Sequence, residues 1–447
     1  MRFLPGTDAD REAMLRRVGL DEIEALFADV PGSLCLHQPL DLPGALSEPE
    51  LLAVLEEMAA RNASAADLVC FLGAGIYDHH VPPVVPTLIT RGEFLTSYTP
   101  YQAEMSQGLL QSIYEYQTLV CQLTGMDAAN ASMYDGASAL AEAAIMAGAA
   151  TRRRRFLLPR TLHPYVRHVV RTYLAPLPYA VVDLPWDSSG GVDPAALARE
   201  LDERAAALLF QHPNFFGCLE DAPALCAAAH RAGALAVPLV DPISLGLLTP
   251  PGEYGADIVV AEGQGLGNAM NFGGPLLGLM ACRKDLLRNL PGRLVGATTD
   301  HDGRVGFCLT LQAREQHIRR ERASSNICTN EALNALAATV YLCTMGKQGL
   351  RRVSELCLQK AHYAQRRLVE DAGFTPSFSR PFFKEFALKA PAPVADLNDR
   401  LRAQGILGGL DLGTLVPELA GHTLLAVTER RTRAQIDRLV EVAAWNP

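Results

Sequence analysis

The chain has 447 residues, enough for about three average domains or for one large α/β domain with a smaller companion. With 49% hydrophobic and 20% charged residues it has the balance of a folded protein with a sizeable core, and its formal charge of −9 and pI near 5.7 argue against a nucleic-acid partner. The opening MRFLPGTDADRE lacks the apolar core of a signal peptide, and no segment has the uninterrupted apolar length of a membrane span. A cytoplasmic protein without a membrane partner is therefore expected. The ten cysteines are scattered singly with no Cys-x-x-Cys pair, so they read as reduced, buried small residues rather than metal ligands or disulfides.

Residues 1–62 read as an amino-terminal helical arm, with capping-box spacing at Asp21/Glu24 and at Ser47/Glu50. From residue 63 to residue 106 helical periodicity disappears and the text becomes dense in Gly, Pro, Tyr and His, the composition of a functional irregular segment rather than a disordered one. Leu109, Ile113, Tyr116, Val120 and Leu123 then recur at spacings of four and three, predicting an amphipathic helix that Gly125 can end. In the following MYDGASALAEAA, Asp135, Gly136 and Ser138 form a turn that opens an alanine-rich helix. Free amides and a hydroxyl at such a start suit an anion, and Asp135 alone suits an ordinary cap; both readings stand at this point.

Beyond Phe156, the apolar runs FLLP, YAVVDL, AALLFQ and ALAVPLV alternate with helical stretches at 194–204 and 222–232, predicting βαβ units and a mostly parallel sheet. Ligands collect at the carboxyl ends of such strands, where His163, Asp183, Asn214 and Asp241 stand as ligand contacts or as hydrogen-bonded structural residues. The Arg152 to Arg155 run beside the first of these strands reads as a solvated or subunit-facing edge. After a charged segment at 314–322, a helix begins near Glu331. A smaller carboxyl-terminal α/β unit follows, ending in a helix capped by Thr432 and Gln435. The expected organisation is an arm (1–62), a large α/β domain (63–345), and a linking helix with the small domain (346–447).

The stretch 257–283 joins two short strands through a loop rich in glycine, GQGLGNAMNFGG, which lets backbone approach a ligand closely. Gly263-Gln264-Gly265-Leu266-Gly267-Asn268 matches a dinucleotide fingerprint only in part, because its last required glycine is Asn268. No Walker A loop and no Gly-x-Ser-x-Gly elbow occurs. The adjacent His79 and His80 lack the spacing of a metal site, so no metal is expected. The five lysines of the chain are Lys284, Lys347, Lys360, Lys384 and Lys389, so the glycine loop contains none.

Taken together, GAGIYDHHVPPVV, TSYTPYQAEMSQGLLQSIYEYQTLVCQLTGMD, ANASMYDGASALAEA, GQGLGNAMNFGGPLLG, LPGRLVGATTD and LTLQAREQHIRRERASSNICTN closely resemble the glycine cleavage system P-protein (glycine decarboxylase) family. The likeness is to its amino-terminal half, which in many bacteria is a separate subunit 1. The resemblance implies a fold-type I pyridoxal phosphate (PLP) architecture with a mostly parallel central sheet and a small α/β domain. It also implies an enzyme, glycine dehydrogenase (decarboxylating), that passes an aminomethyl group to the lipoyl group of H-protein. With no lysine between Gln264 and Asn271, PLP is expected to be bound covalently by a second, lysine-bearing P-protein subunit in an α2β2 assembly. On this resemblance Asp135, Gly136, Ser138, His163 and Asp241 belong to a vacated cofactor pocket. Tyr98, Tyr101, Glu104, Asn271, Phe272, Gly273 and Gly274 are candidates to reach the partner's site. The alternatives are a structural or regulatory subunit that contacts neither PLP nor glycine, and an independent enzyme that reuses the pocket without PLP.

Overall fold

The computed structural model describes residues 5–36 and 38–444. Up to residue 63 the chain forms a separate unit with two helices, α1 (Asp8–Val18) and α2 (Glu48–Ala59). Each starts with a capping box: Thr7 with Asp10, and Ser47 with Glu50, as its spacing predicts. Asp21 and Glu24 do not cap a helix. That region holds only a short 3-10 turn, Ile23–Phe27, which starts after Glu22 and has no side-chain cap.

The second unit, from Ser64 onward, is built on a seven-stranded sheet. In chain order its strands are β1 (Ala128–Ala129), β2 (Arg155–Pro159), β3 (Ala180–Leu184), β4 (Ala205–His212), β5 (Leu235–Val240), β6 (Ile258–Glu262) and β7 (Gly278–Cys282). Their spatial order is β1-β7-β6-β5-β4-β2-β3, and the pairs from β3 through β6 are parallel. Only β7, hairpinned against β6, and the short β1 run antiparallel to their neighbours. Strands β4, β5 and β6 are apolar runs buried on both faces, the pattern of a sheet covered by helices on each side.

The helices follow from their side-chain patterns. Helix α3 (Gln107–Thr124) buries Ile113, Tyr116 and Val120 on one stripe and stops at Gly125, whose φ is 70°. Helix α4 (Gly136–Thr151) is alanine-rich and buried nearly all round, lying against Phe156, Leu209 and Met280 in the principal core. Three further helices, α5 (Pro164–Leu174), α6 (Pro194–Glu200) and α7 (Ala222–Arg231), complete the crossovers. The arginine run is less solvated than its charge suggests. Arg153 donates to the carbonyls of Ala205, Ala232 and Gly233, and Arg155 pairs with Glu200, so the two tie strand and helix ends together.

Helix α8 (Ala332–Ala372) is interrupted at Gly346, whose φ of 59° and ψ of −177° are not helical. A four-stranded antiparallel sheet follows, made of β8 (Thr375–Pro376), β9 (Glu385–Lys389), β10 (Leu410–Asp411) and β11 (His422–Ala426) in the order β8-β9-β11-β10. The end of α8, together with α9 (Val394–Ala403) and α10 (Arg433–Ala443), covers it through Leu368, Phe386, Leu397, Leu425 and Leu439.

The two sheets meet where Gly217, just past β4, passes under β9. A Cβ on Gly217 would stand 1.9 Å from the carbonyl oxygen of Glu385, and its φ of +86° already disfavours a side chain. Gly217→Ala is therefore expected to lose roughly 2–4 kcal/mol of stability through strain and overpacking. Denaturant unfolding checks this, and an unchanged midpoint would contradict the close contact.

Candidate functional site

The chain passes from β2 outward to β3 and then returns to β4 on the other side of β2, so the order of the sheet reverses between β2 and β4. A crevice opens at the carboxyl ends of the strands beside such a reversal. Here a cavity of about 290 Å³ is lined by residues that follow or end these strands: His163 after β2, Gln211 in β4, Asp241 after β5 and Glu262 at the end of β6. Gly75, Tyr77 and Lys384 close it from the irregular segment and from the small domain. A larger groove of about 810 Å³, bordered by Leu197, Leu225 and Arg380, lies along α6 and α7 and contains none of the candidate site residues.

His163 caps α5. Its Nδ1 accepts from the Tyr165 amide at 3.1 Å, so Nε2 carries the proton and donates to the Ala74 carbonyl at 3.0 Å. Burial pushes its pKa down and leaves a neutral ring, stacked on Tyr165 and edge-on to Phe215.

Asp241 accepts from the Ile243 amide at 3.1 Å, and its other oxygen lies 2.8 Å from Lys384 Nζ. Lys384 is 2% exposed. Its ammonium also lies 2.9 Å from His79 Nε2 and 3.7 Å from the centre of the Tyr77 ring, a desolvated cation–π contact. Because an ammonium only donates, His79 Nε2 accepts, and the ring's proton sits on Nδ1 facing Glu429 at 2.7 Å. Burial, with the Lys384 charge beside it, pushes the His79 pKa down. Burial works against the Glu429 charge, yet the hydrogen bonds from His79 and from the His80 amide hold its carboxyl down to about 2. Next to Lys384, the Glu385 carboxyl is pushed up to about 7 by burial while accepting from the Ala74 amide and the Tyr77 hydroxyl.

At the start of α4, Asp135 accepts from the Ser138 amide at 2.7 Å, and the Ser138 hydroxyl accepts from the Asp135 amide at 3.2 Å. Asp135 thus caps the helix, one of the two readings of this turn. The Gly136 amide donates to Glu262 Oε2 at 2.9 Å, and Glu262 Oε1 accepts from the amides of Gln264 and Leu277. Only glycine fits at 136, because a Cβ there would lie 2.9 Å from the Glu262 nitrogen.

Asp135, Gly136, His163 and Asp241 thus converge on one cavity, while Ser138 is buried behind it in the cap. Asp183 pairs with Arg167 and Arg171, and Asn214 is fully engaged in its own turn, accepting from the amides of Phe216 and Cys218 and donating to Gly190 and Glu220. Tyr98, Tyr101 and Phe272 are 71%, 74% and 86% exposed, and Glu104 and Asn271 are exposed as well. Gly273 and Gly274 hold φ values of +98° and +132° in the same loop as Asn271. None of these seven lines the cavity.

Sequence reasoning missed Lys384, Glu262, Tyr77 and Gln211. A signal existed for the first. Lys384 and Glu385 are adjacent charges inside the apolar run PFFKEFAL, and consecutive strand residues face opposite ways, so two exposed charges there would be unusual.

The sequence profile of the glycine cleavage system P-protein family matches residues 1–443. The chain belongs to this P-protein family. It is 54% identical over 442 residues to a protein of Carboxydothermus hydrogenoformans named probable glycine dehydrogenase (decarboxylating) subunit 1, covering 99% of each. A protein of the same name from Desulforamulus reducens is 52% identical over 98% of each. A crystal structure of glycine decarboxylase (P-protein) of the glycine cleavage system, in inhibitor-bound form, superposes with a TM-score of 0.91 at 45% identity, over 99% of both chains. Cysteine desulfurase CsdA from Escherichia coli, at 16% identity, a TM-score of 0.63 and coverage of 87% of this chain and 96% of its own, shares the fold. The architecture is that of the fold-type I PLP enzymes, and among the described residues no helix is long and apolar enough to cross a membrane.

The cavity of this P-protein chain does not fit PLP. A pyridine nitrogen would need the Asp241 carboxylate, which is paired with Lys384; a phosphate would need the start of α4, where Glu262 takes the Gly136 amide. A pyridine ring whose nitrogen met Asp241 would find the Lys384 amine at that same end. Removing one member of the buried pair leaves an uncompensated charge. Lys384→Met is expected to cost about 3–5 kcal/mol, with most of it recovered when Asp241→Asn is added. Urea unfolding of the three variants checks this; additive losses would mean that the two groups are not coupled.

Proposed function

We propose that the chain is the lysine-deficient subunit of a heteromeric glycine dehydrogenase (decarboxylating). A second P-protein subunit binds PLP covalently, and together the two decarboxylate glycine and pass the aminomethyl group to lipoylated H-protein. Full-length likeness to proteins named subunit 1 supports the subunit assignment. The observation that carries the division of labour is the commitment of Asp241 to Lys384, in a cavity whose glycine loop brings no lysine. When bound on the partner, PLP supplies the electron sink for decarboxylation. This chain's own residues then act by shaping and closing that site.

Tyr98, Tyr101, Glu104, Asn271, Phe272, Gly273 and Gly274 are the residues proposed to do so. They are candidates because Tyr98, Tyr101 and Phe272 are strongly exposed aromatic rings, a residue type enriched at interfaces. Tyrosine hydroxyls can donate to a phosphate or carboxylate while the rings exclude water. An α2β2 cytoplasmic assembly completes the proposal.

The test is reconstitution. Glycine-dependent exchange of carbon dioxide with H-protein is expected only when both chains are present, and borohydride reduction is expected to fix PLP to the partner alone. Exchange by this chain alone, or a reduced adduct on Lys384, would overturn the proposal. Full activity from the partner alone would leave this chain a structural role.

In the reconstituted enzyme, Tyr98→Phe and Tyr101→Phe keep the rings but delete a donor each. Turnover is expected to fall by about tenfold for a hydroxyl that contacts the reacting groups, with assembly intact. Parent-like turnover and PLP retention in both variants would reduce the segment to interface packing.

A further inference from the structure

We propose that two resident side chains, Lys384 and Glu262, stand in for the charged ends of a pyridoxal-type ligand and so close this chain's own cavity against phosphorylated pyridines. In a fold of this type the two recognition elements for such a ligand are a carboxylate for the ring nitrogen and a helix start for the phosphate. Both elements persist here as Asp241 and the turn at Gly136. Each is answered from within the chain.

At one end, the Lys384 ammonium is a built-in cation 2.8 Å from Asp241, held by His79 and the face of Tyr77. At the other, Glu262 is a built-in carboxyl 2.9 Å from the Gly136 amide, and Asp135 fills the neighbouring cap position through Ser138. The acidic groups lining the cavity are then Asp135, Glu262 and Asp241 against one ammonium, with a neutral His163; burial pushes the Glu262 carboxyl up to about 7. A phosphate dianion entering at the helix start would meet the Asp135 carboxylate and a Glu262 side chain already bonded to the amides of Gly136, Gln264 and Leu277. The positive end of the helix is the natural place for an anion, and Glu262 already takes that place.

The inference deepens the proposal that this chain leaves PLP to its partner, and rests on it. The probe is pyridoxamine 5′-phosphate, which has both charged ends but no aldehyde, so that amine chemistry does not enter. The full chain, Lys384→Met, Glu262→Ala and the double variant are titrated with it by ligand fluorescence and by thermal midpoint.

The parent is expected to give no saturable binding. Each substitution is expected to give saturable binding at least about tenfold below the highest ligand concentration at which the parent shows none, and the ligand is expected to raise the midpoint of the double variant. Should the double variant not fold, Glu262→Ala alone is read by the same criterion. A folded variant that binds no better than the parent would overturn the inference. So would a parent that binds as tightly as the variants. Either failure leaves the reconstitution result untouched, whereas exchange by this chain alone would remove the reading on which the inference rests.

Discussion

The buried pair of Lys384 and Asp241 organises this molecule. One member stands at the end of a central strand, the other at the entry to the first long strand of the small domain; Lys384 is 2% exposed and Asp241 is partly buried. An ammonium that is 2% exposed persists only if every direction around it offers compensation. Asp241, the His79 nitrogen and the Tyr77 face do so, and each is held in turn: Asp241 by the Ile243 amide, His79 by Glu429, and Tyr77 by Glu385. The result is an alternation of carboxylate, imidazole, ammonium and carboxylate running from the small domain into the sheet. Such pairs add little net stability compared with apolar packing, but they tolerate only one arrangement of the parts they join.

That arrangement explains how a chain can keep the whole fold of a cofactor enzyme while presenting a cavity that does not suit the cofactor. The sheet reversal, the helix start at Gly136 and the carboxylate at Asp241 are consequences of the fold and survive in it. What differs is what answers them. Glu262 ties the end of β6, the return of the glycine loop and the start of α4 through three backbone amides, so this corner of the cavity is a structural joint. The tyrosines near residue 100 and the loop carrying Phe272 lie outside the cavity and are exposed.

Much of the fold was legible in the sequence, because short apolar runs alternating with helical stretches admit few arrangements. The helix at 107–124 carried its spacing plainly, and the strands at 205–212 and 235–240 read as continuous apolar runs. The arm was less legible: Asp21 has the spacing of a cap but no helix to serve, while Thr7, which does serve one, lies close to the chain's start. In the site, His163 and Asp241 were found because position after a strand is a local signal, and Asp183 and Asn214 gave the same signal for structural reasons. Lys384 and Glu262 were not found, since each acquires its role from a residue more than 100 positions away. Spacing along the chain cannot report that an amine from the far end of the sequence enters the cavity from another sheet.

The central claim is that the one lysine in the cavity is committed to Asp241 rather than available to react. Competitive acylation of the folded chain with limiting acetic anhydride, followed by peptide mapping, measures this directly. Lys284, Lys347 and Lys389 are exposed and Lys360 partly so. The account expects all four to be modified while Lys384 stays free of acetyl groups until the chain is unfolded. Modification of Lys384 at a rate comparable with the exposed lysines, in a chain that remains folded, would contradict it.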